Sequence, residues 1–248
     1  MSDVSEQKRR IRDRVWKALE AGGMARPPRP VRGRIPNFQG AEEAAELLTC
    51  LEVFRNADVI NVAPDSPQRA VRLAVLKSGK TLVVPTPRLA GGFLVLEPYR
   101  ISRRLRGYAS TIRGSIQMGR KVDLKSLPEV DMIVTGSVAV DLLGNRLGKG
   151  EGYSEIEYAV LSEAAKVDEG TPIATTVHEL QLADSIPSQL FDFSVDVIAT
   201  PKRVISVPGA RRRPSGVLWD LLDEAKISAI PLLRQLKAER RAATGANP

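Results

Sequence analysis

Residues 131–160, "DMIVTGSVAVDLLGNRLGKGEGYSEIEYAV", decide the fold. "DMIVTGSVAV" has the β-branched, apolar composition of a buried strand. A glycine-rich turn follows, and from Tyr153 apolar and acidic residues recur at helical spacing. Strand, glycine-rich loop and helix, in that order, form the context in which backbone N–H groups converge on a phosphate. Glycine serves there because it has no Cβ to block the approach and takes positive φ freely. Arg146 and Lys149 place two cations beside the loop. Glu155 and Glu157 fall in the first helical turns, where a carboxylate suits the helix dipole and can meet a magnesium ion.

The same alternation extends outward. "DVINVAP" (58–64), "TLVVPTP" (81–87), "TPIATTVH" (171–178), "DVIATP" (196–201) and "RVISVP" (203–208) read as strands. "GAEEAAELLTCLEVFR" (40–55) and "SPQRAVRLAVLKSGK" (66–80) read as helices, the second with Pro67 near its first turn and Gly79 at its end. Apolar strands separated by amphipathic helices predict an α/β fold with a mostly parallel sheet covered on both faces. Three segments are expected: an N-terminal helix with a Pro/Arg-rich arm (1–38), the α/β body (39–214) and a helical tail (215–248).

Composition removes several classes. The 248 residues are 43% apolar, enough for a sizeable core, and no apolar run approaches the roughly 18 residues of a membrane span. The charged start lacks the apolar stretch of a signal peptide, so a cytoplasmic protein is expected. One cysteine, Cys50, and one histidine, His178, exclude a disulfide framework and a structural zinc site. The net charge of +8, with arginine clusters at 26–34, 100–106 and 211–213, suits a polyanionic ligand. Aromatics are only 4%, with no interleaved stacking platform, which argues against a nucleic-acid-binding module.

Two familiar phosphate motifs fail. A Walker loop needs G-x-x-x-x-G-K-[ST], but Gly144 and Gly148 are one residue too close and Gly150 takes the Ser/Thr position. The dinucleotide fingerprint G-x-G-x-x-G fails because the glycines run Gly148, Gly150, Gly152.

A third motif fits. "DLLGNRLGKGEGY" (141–153) resembles the signature of 5-formyltetrahydrofolate cyclo-ligases, roughly D-x-x-G-x-R-L-G-x-G-x-G-Y-Y-D. Asp141, Gly144, Arg146, Leu147, Gly148, Gly150, Gly152 and Tyr153 match it. Two weaker matches flank it: Lys8 and Arg12 in "KRRIR", and Asp196 and Thr200 in "VDVIATPKRVI". The resemblance implies a Rossmann-like three-layer sandwich of the NagB/RpiA/CoA-transferase kind. It implies ATP held by Lys8, Arg12, Arg146, Leu147, Gly148, Lys149, Gly150, Glu151, Gly152 and Tyr153. Arg146 and Lys149 would be the catalytic cations, and Glu155 and Asp196 would hold Mg²⁺. The implied reaction converts 5-formyltetrahydrofolate, with or without a polyglutamate tail, to 5,10-methenyltetrahydrofolate. The formyl oxygen attacks the γ-phosphate, and the second folate nitrogen closes the ring and expels phosphate. Such chemistry asks mainly for positioning and charge neutralisation.

The chain departs from the signature at Ser154 and Glu155, where the family has Tyr and Asp. Where the family carries an acidic residue and a threonine that meet the folate, this chain offers Asp65 or Gln68 in "APDSPQRAVR". "GRIPNFQGA", "PTPRL" and "TTVHELQLAD" resemble a divergent branch of cyclo-ligase-like paralogues. That likeness implies an alternative: a nucleotide-binding paralogue without ligase activity, linked to thiamin metabolism. His178 follows a strand end and is either satisfied by backbone or a substrate contact. Arg88, just after a strand, is a candidate anion ligand.

Overall fold

The computed structural model of the chain describes residues 3–209 and 213–244; Arg211 and Arg212 of the third arginine cluster lie outside the described residues. Eight strands form the main sheet: β1 (Val59–Val62), β2 (Thr81–Pro85), β3 (Phe93–Leu96), β4 (Arg120–Val122), β5 (Met132–Thr135), β6 (Ile173–Thr176), β7 (Val197–Ala199) and β8 (Val204–Ser206). Their spatial order is β8-β7-β6-β5-β1-β2-β3-β4. The five strands from β7 to β2 run parallel. Only the flanking pairings are antiparallel, β8 on β7 at one edge, and β3 on β2 and β4 on β3 at the other. This is the mostly parallel α/β sheet that the alternation predicts.

Both faces are buried because the apolar runs are continuous and side chains alternate along a strand. Ile133, Val83, Ile173 and Ile198 point into one core, with Ile156, Val160 and Leu161 of helix α4 (Tyr153–Glu163). Helices α5 (Glu224–Ala229) and α6 (Pro231–Thr244) add Ile227, Leu232, Leu233 and Leu236 to it. Met132, Val134, Ile60, Val62, Leu82 and Val84 point into the other core. There they meet Ala45 and Leu48 of α2 (Ala41–Thr49) and Val71, Val75 and Leu76 of α3 (Arg69–Lys77).

Helix α1 (Asp3–Ala21) builds a third core. Its Val15, Trp16 and Leu19 pack with Val31, Ile35 and Phe38 of the arm and with Val138, Ala139 and Leu147. Trp16 also donates from Nε1 to the carbonyl of Arg34 at 3.0 Å. Among the described residues no helix is long and apolar enough to cross a membrane.

The strand order places the site. After β1 the chain moves to β2 on one side, whereas β5 lies on the other side of β1. The connections leaving β1 and β5 therefore diverge, and a crevice opens at the C-terminal ends of these strands.

Candidate active site

The signature segment lies over that crevice. Past β5, residues Ala139–Asp141 pair antiparallel with Arg146–Leu147. The turn between them is fastened by Asp141, which is 1% exposed. Its Oδ1 accepts from the N–H groups of Leu143 (3.0 Å) and Asn145 (2.9 Å), and its Oδ2 from the Asn145 side chain and the Ile186 N–H, both at 2.9 Å. Gly144 sits at φ +80°, and a Cβ there would lie 2.4 Å from the Val195 carbonyl oxygen. The D-x-x-G of the signature is thus a turn whose acid and glycine are each required by the backbone. The strap Gly148–Gly152 then leads into α4, with Gly150 at φ +102° and Gly152, the helix N-cap, at φ +75°. Gly152, Tyr153 and Ser154 of the helix start line the cavity over the crevice.

The strap divides two cavities, and Gly148, Glu151, Gly152 and Glu155 line both. The first, about 330 Å³, is walled by Lys8 and Arg12 of α1 and by Phe191 and Asp192. Lys8, only 5% exposed, donates to Asp192 Oδ2 at 2.5 Å and to Gln189 Oε1 at 3.1 Å. Arg12 donates from Nε to the Gly148 carbonyl at 2.7 Å, and burial lowers its pKa. Arg146 is buried beneath them. It pairs with Glu155 at 2.7 Å, donates to the Gly136 carbonyl at 3.0 Å and stacks on Phe193 at 4.9 Å.

The second cavity, about 450 Å³, opens over the ends of β1 and β2. Asp65, Glu157, Lys149 and Arg88 line it. Glu157 accepts from Asn61 Nδ2 at 2.7 Å, and burial pushes its carboxyl up to about 7. Burial also raises the Asp65 carboxyl, with Lys149 acting in the opposite sense. Asn61 and Gln68 are fully buried, and the Oδ1 of one and the Oε1 of the other have no hydrogen-bond partner. Gly136 keeps this floor open, since a Cβ there would lie 3.0 Å from Asp65 Oδ2 and 3.1 Å from Gln68 Oε1. At the rim, Glu151 stands 3.1 Å from Lys149 and 3.8 Å from Arg88.

Lys8, Arg12 and the segment from Arg146 to Tyr153 are brought together, as the resemblance implies. Two placements differ from expectation. Lys149 faces the second cavity, whereas Lys8 and Arg12 face the first. Asp196 is absent from the site. It precedes β7 at the N-terminal end of the sheet, where it accepts from the Ile173 N–H at 2.7 Å and pairs with Arg213 at 2.6 Å. Glu155 meanwhile is held by Arg146 at the opposite end. The two carboxylates cannot share an ion, and no cluster of three or more His, Cys, Asp or Glu residues among the described residues has metal-binding geometry. The residues present do not fit the magnesium pair expected.

His178 is an N-cap. Its Nδ1 accepts from the Leu180 N–H at 3.1 Å, its ring meets Phe38 edge-on, and burial lowers its pKa. Thr200 is buried and donates to Glu179 Oε1 at 2.7 Å. Sequence reading missed Asp192, Gln189, Phe191 and Asn61. The "DFS" preceding "VDVIAT" was the available signal for Asp192.

Fold and cavities together define an α/β protein with a glycine strap between two cavities. The chain belongs to the 5-formyltetrahydrofolate cyclo-ligase family, whose model matches residues 4–201. Over 241 residues it is 42% identical to the methenyltetrahydrofolate synthase domain-containing protein of Mus musculus, covering 95% of this chain and 64% of that protein. The protein of the same description from Homo sapiens is 39% identical over 245 residues, 97% of this chain and 64% of that one. The chain thus spans less than two thirds of the length of these curated relatives. Its fold is similar to that of Aquifex aeolicus 5,10-methenyltetrahydrofolate synthetase, with a TM-score of 0.52 at 20% identity over 82% of this chain and 94% of that one.

Proposed function

We propose that the protein is an ATP-dependent cyclo-ligase that converts 5-formyltetrahydrofolate to 5,10-methenyltetrahydrofolate. The observation that carries this reading is the strap shared by the two cavities. A triphosphate on one side and a formylated folate on the other would meet across Gly148 and Gly152. On the nucleotide side, Lys8, Arg12 and the N-terminal N–H groups of α4 neutralise phosphate charge. Arg146 Nε, buried without a hydrogen-bond partner, leaves a further donor beside that cavity. On the folate side, Asp65 and Glu157 offer acceptors to the N–H groups of a pterin ring, and Lys149 stands where charge on the transferred phosphoryl group has to be neutralised. Arg146 acts from below: it fixes Glu155 and the Gly136 carbonyl and so sets the shape of the strap.

Purified protein with ATP, Mg²⁺ and 5-formyltetrahydrofolate should accumulate the methenyl chromophore. No absorbance change from folded, ATP-binding protein would reject the activity. One observation favours the other reading, a nucleotide-binding paralogue without ligase activity: Glu155 is engaged by Arg146, and among the described residues no group of three or more His, Cys, Asp or Glu could hold a metal. ATP binding without folate turnover is the result that reading predicts.

A further inference from the structure

The chain beyond the 4–201 span matched by the family model is fastened to both ends of helix α4. At the far end, Val217 N donates to Glu163 Oε2 at 2.9 Å and Gly216 N to Ser162 Oγ at 3.2 Å. At the near end, the partly buried Lys226 of α5 reaches the glycine strap. Its Nζ donates to the Glu151 carbonyl at 2.7 Å and lies 4.4 Å over the Tyr153 ring. The ring anchors the ammonium group at the point where the strap becomes a helix. The Glu151 side chain is engaged separately, by Lys149 at 3.1 Å and Arg88 at 3.8 Å. From the other chain end, Arg12 holds the Gly148 carbonyl. The strap is therefore gripped by a cation at each end, one from α1 and one from α5.

We propose that Lys226 is a positioning residue that holds the strap in its phosphate-binding shape, an inference that rests on the nucleotide reading above. In a planar trans peptide the carbonyl and the following N–H point opposite ways. A hold on the Glu151 carbonyl therefore also fixes the direction of the Gly152 N–H, and Arg12 does the same for the Lys149 N–H. The strap needs such holds because glycine carries more backbone freedom than any other residue, and Gly148, Gly150 and Gly152 fall within five positions. A segment ordered before the ligand arrives does not charge its ordering entropy against binding. Lys226 acts through main chain and contributes no contact to the ligand itself.

The test uses the full chain and two measurements. Hydrogen exchange of residues 148–153 is followed in the ligand-free protein, and ATP affinity is measured by titration calorimetry. Lys226→Met keeps an unbranched apolar stem and removes the donor; Lys226→Arg keeps a donor and a cation. Lys237→Met removes a charge from the same pair of helices, where Lys237 pairs with Glu224 away from the strap. In Lys226→Met, strap exchange should quicken at least threefold with exchange elsewhere unchanged, and ATP affinity should fall three- to tenfold. Lys226→Arg should recover most of both, and Lys237→Met should stay within twofold of wild type. Unchanged strap exchange, faster exchange with ATP affinity within twofold, or protection lost evenly across the whole molecule each overturns the proposal. Wild-type protein that binds no ATP overturns the nucleotide reading and, with it, the phosphate-binding role of Lys226.

Discussion

At the residue scale, the site is a set of charges whose roles follow from what each one touches. Glu157 shows this best. Its carboxyl sits at the cavity floor on Asn61, and burial raises it to about 7, above the 4.5 of an exposed glutamate. Between those two values the folded protein keeps a proton that the unfolded chain has lost. Stability therefore falls as pH rises from about 4.5 to 7 and levels off above. Discounted for the cavity's access to water, the fall should be about 1–2 kcal/mol. Urea melts at pH 5 and pH 8 should show that difference in wild type and lose it in Glu157→Gln. An unchanged difference in the variant would assign the pH dependence to other groups. Asp196 gives the converse case. It holds a largely buried Arg213 and the Ile173 N–H at the far end of the sheet. Asp196→Ala should cost about 2–4 kcal/mol of stability and leave ATP affinity within twofold. A folded variant that has lost ATP binding would restore the residue to the site.

At the element scale, the turn after β2 carries a conformation that its sequence does not favour. Arg88 and Leu89 are both left-handed, at φ +57° and +54°, although neither is glycine. The turn is pinned by Thr86, whose Oγ1 accepts from the Gly91 N–H at 2.8 Å and donates to the Gly92 carbonyl at 3.0 Å. Residues held this way at a cavity rim are commonly there for function, and the one they present here is Arg88. Arg88→Gly should stabilise the fold by about 1 kcal/mol, because glycine takes this conformation without penalty. It should also raise the KM for a folate several-fold, because a cation is lost at the mouth. Denaturant melts and steady-state kinetics check the two halves separately, and a destabilised variant would contradict the strain argument. The glycine strap solves the same problem differently, spending Gly150 and Gly152 where positive φ is required.

At the scale of the whole molecule, sheet order decides where the crevice opens, and the N- and C-terminal helices pack around the sheet. The N-terminal helix brings Lys8 and Arg12 to the strap, and the C-terminal helices close one face of the sheet. Leu233 is fully buried in the same core as Ile133 and Ile198. Leu233→Ala should therefore cost about 2–4 kcal/mol in denaturant melts, the range for a core truncation. A cost below 1 kcal/mol would mark the tail as an appendage to the α/β body.

Much of this was legible in the residues. Continuous β-branched runs such as "DMIVT" require burial on both faces, and an acid and glycines at D-x-x-G-x-R-L-G-x-G-x-G require particular backbone turns. Those requirements are local, so the sequence by itself determined the parallel sheet, the strap and the cations around it. The β3–β4 edge was not legible: β4 (Arg120–Val122) has two exposed cations and one buried valine, so no apolar run marks it. Partnerships between distant residues belonged to the tertiary structure alone. Asp192 and Asp196 are four residues apart, a span of about 13 Å of extended chain, and that offset carries one to Lys8 at the strap and the other to Arg213 at the opposite end of the sheet. Local pattern sets which way a strand's side chains alternate. Only the packed sheet sets which end of it reaches the ligand.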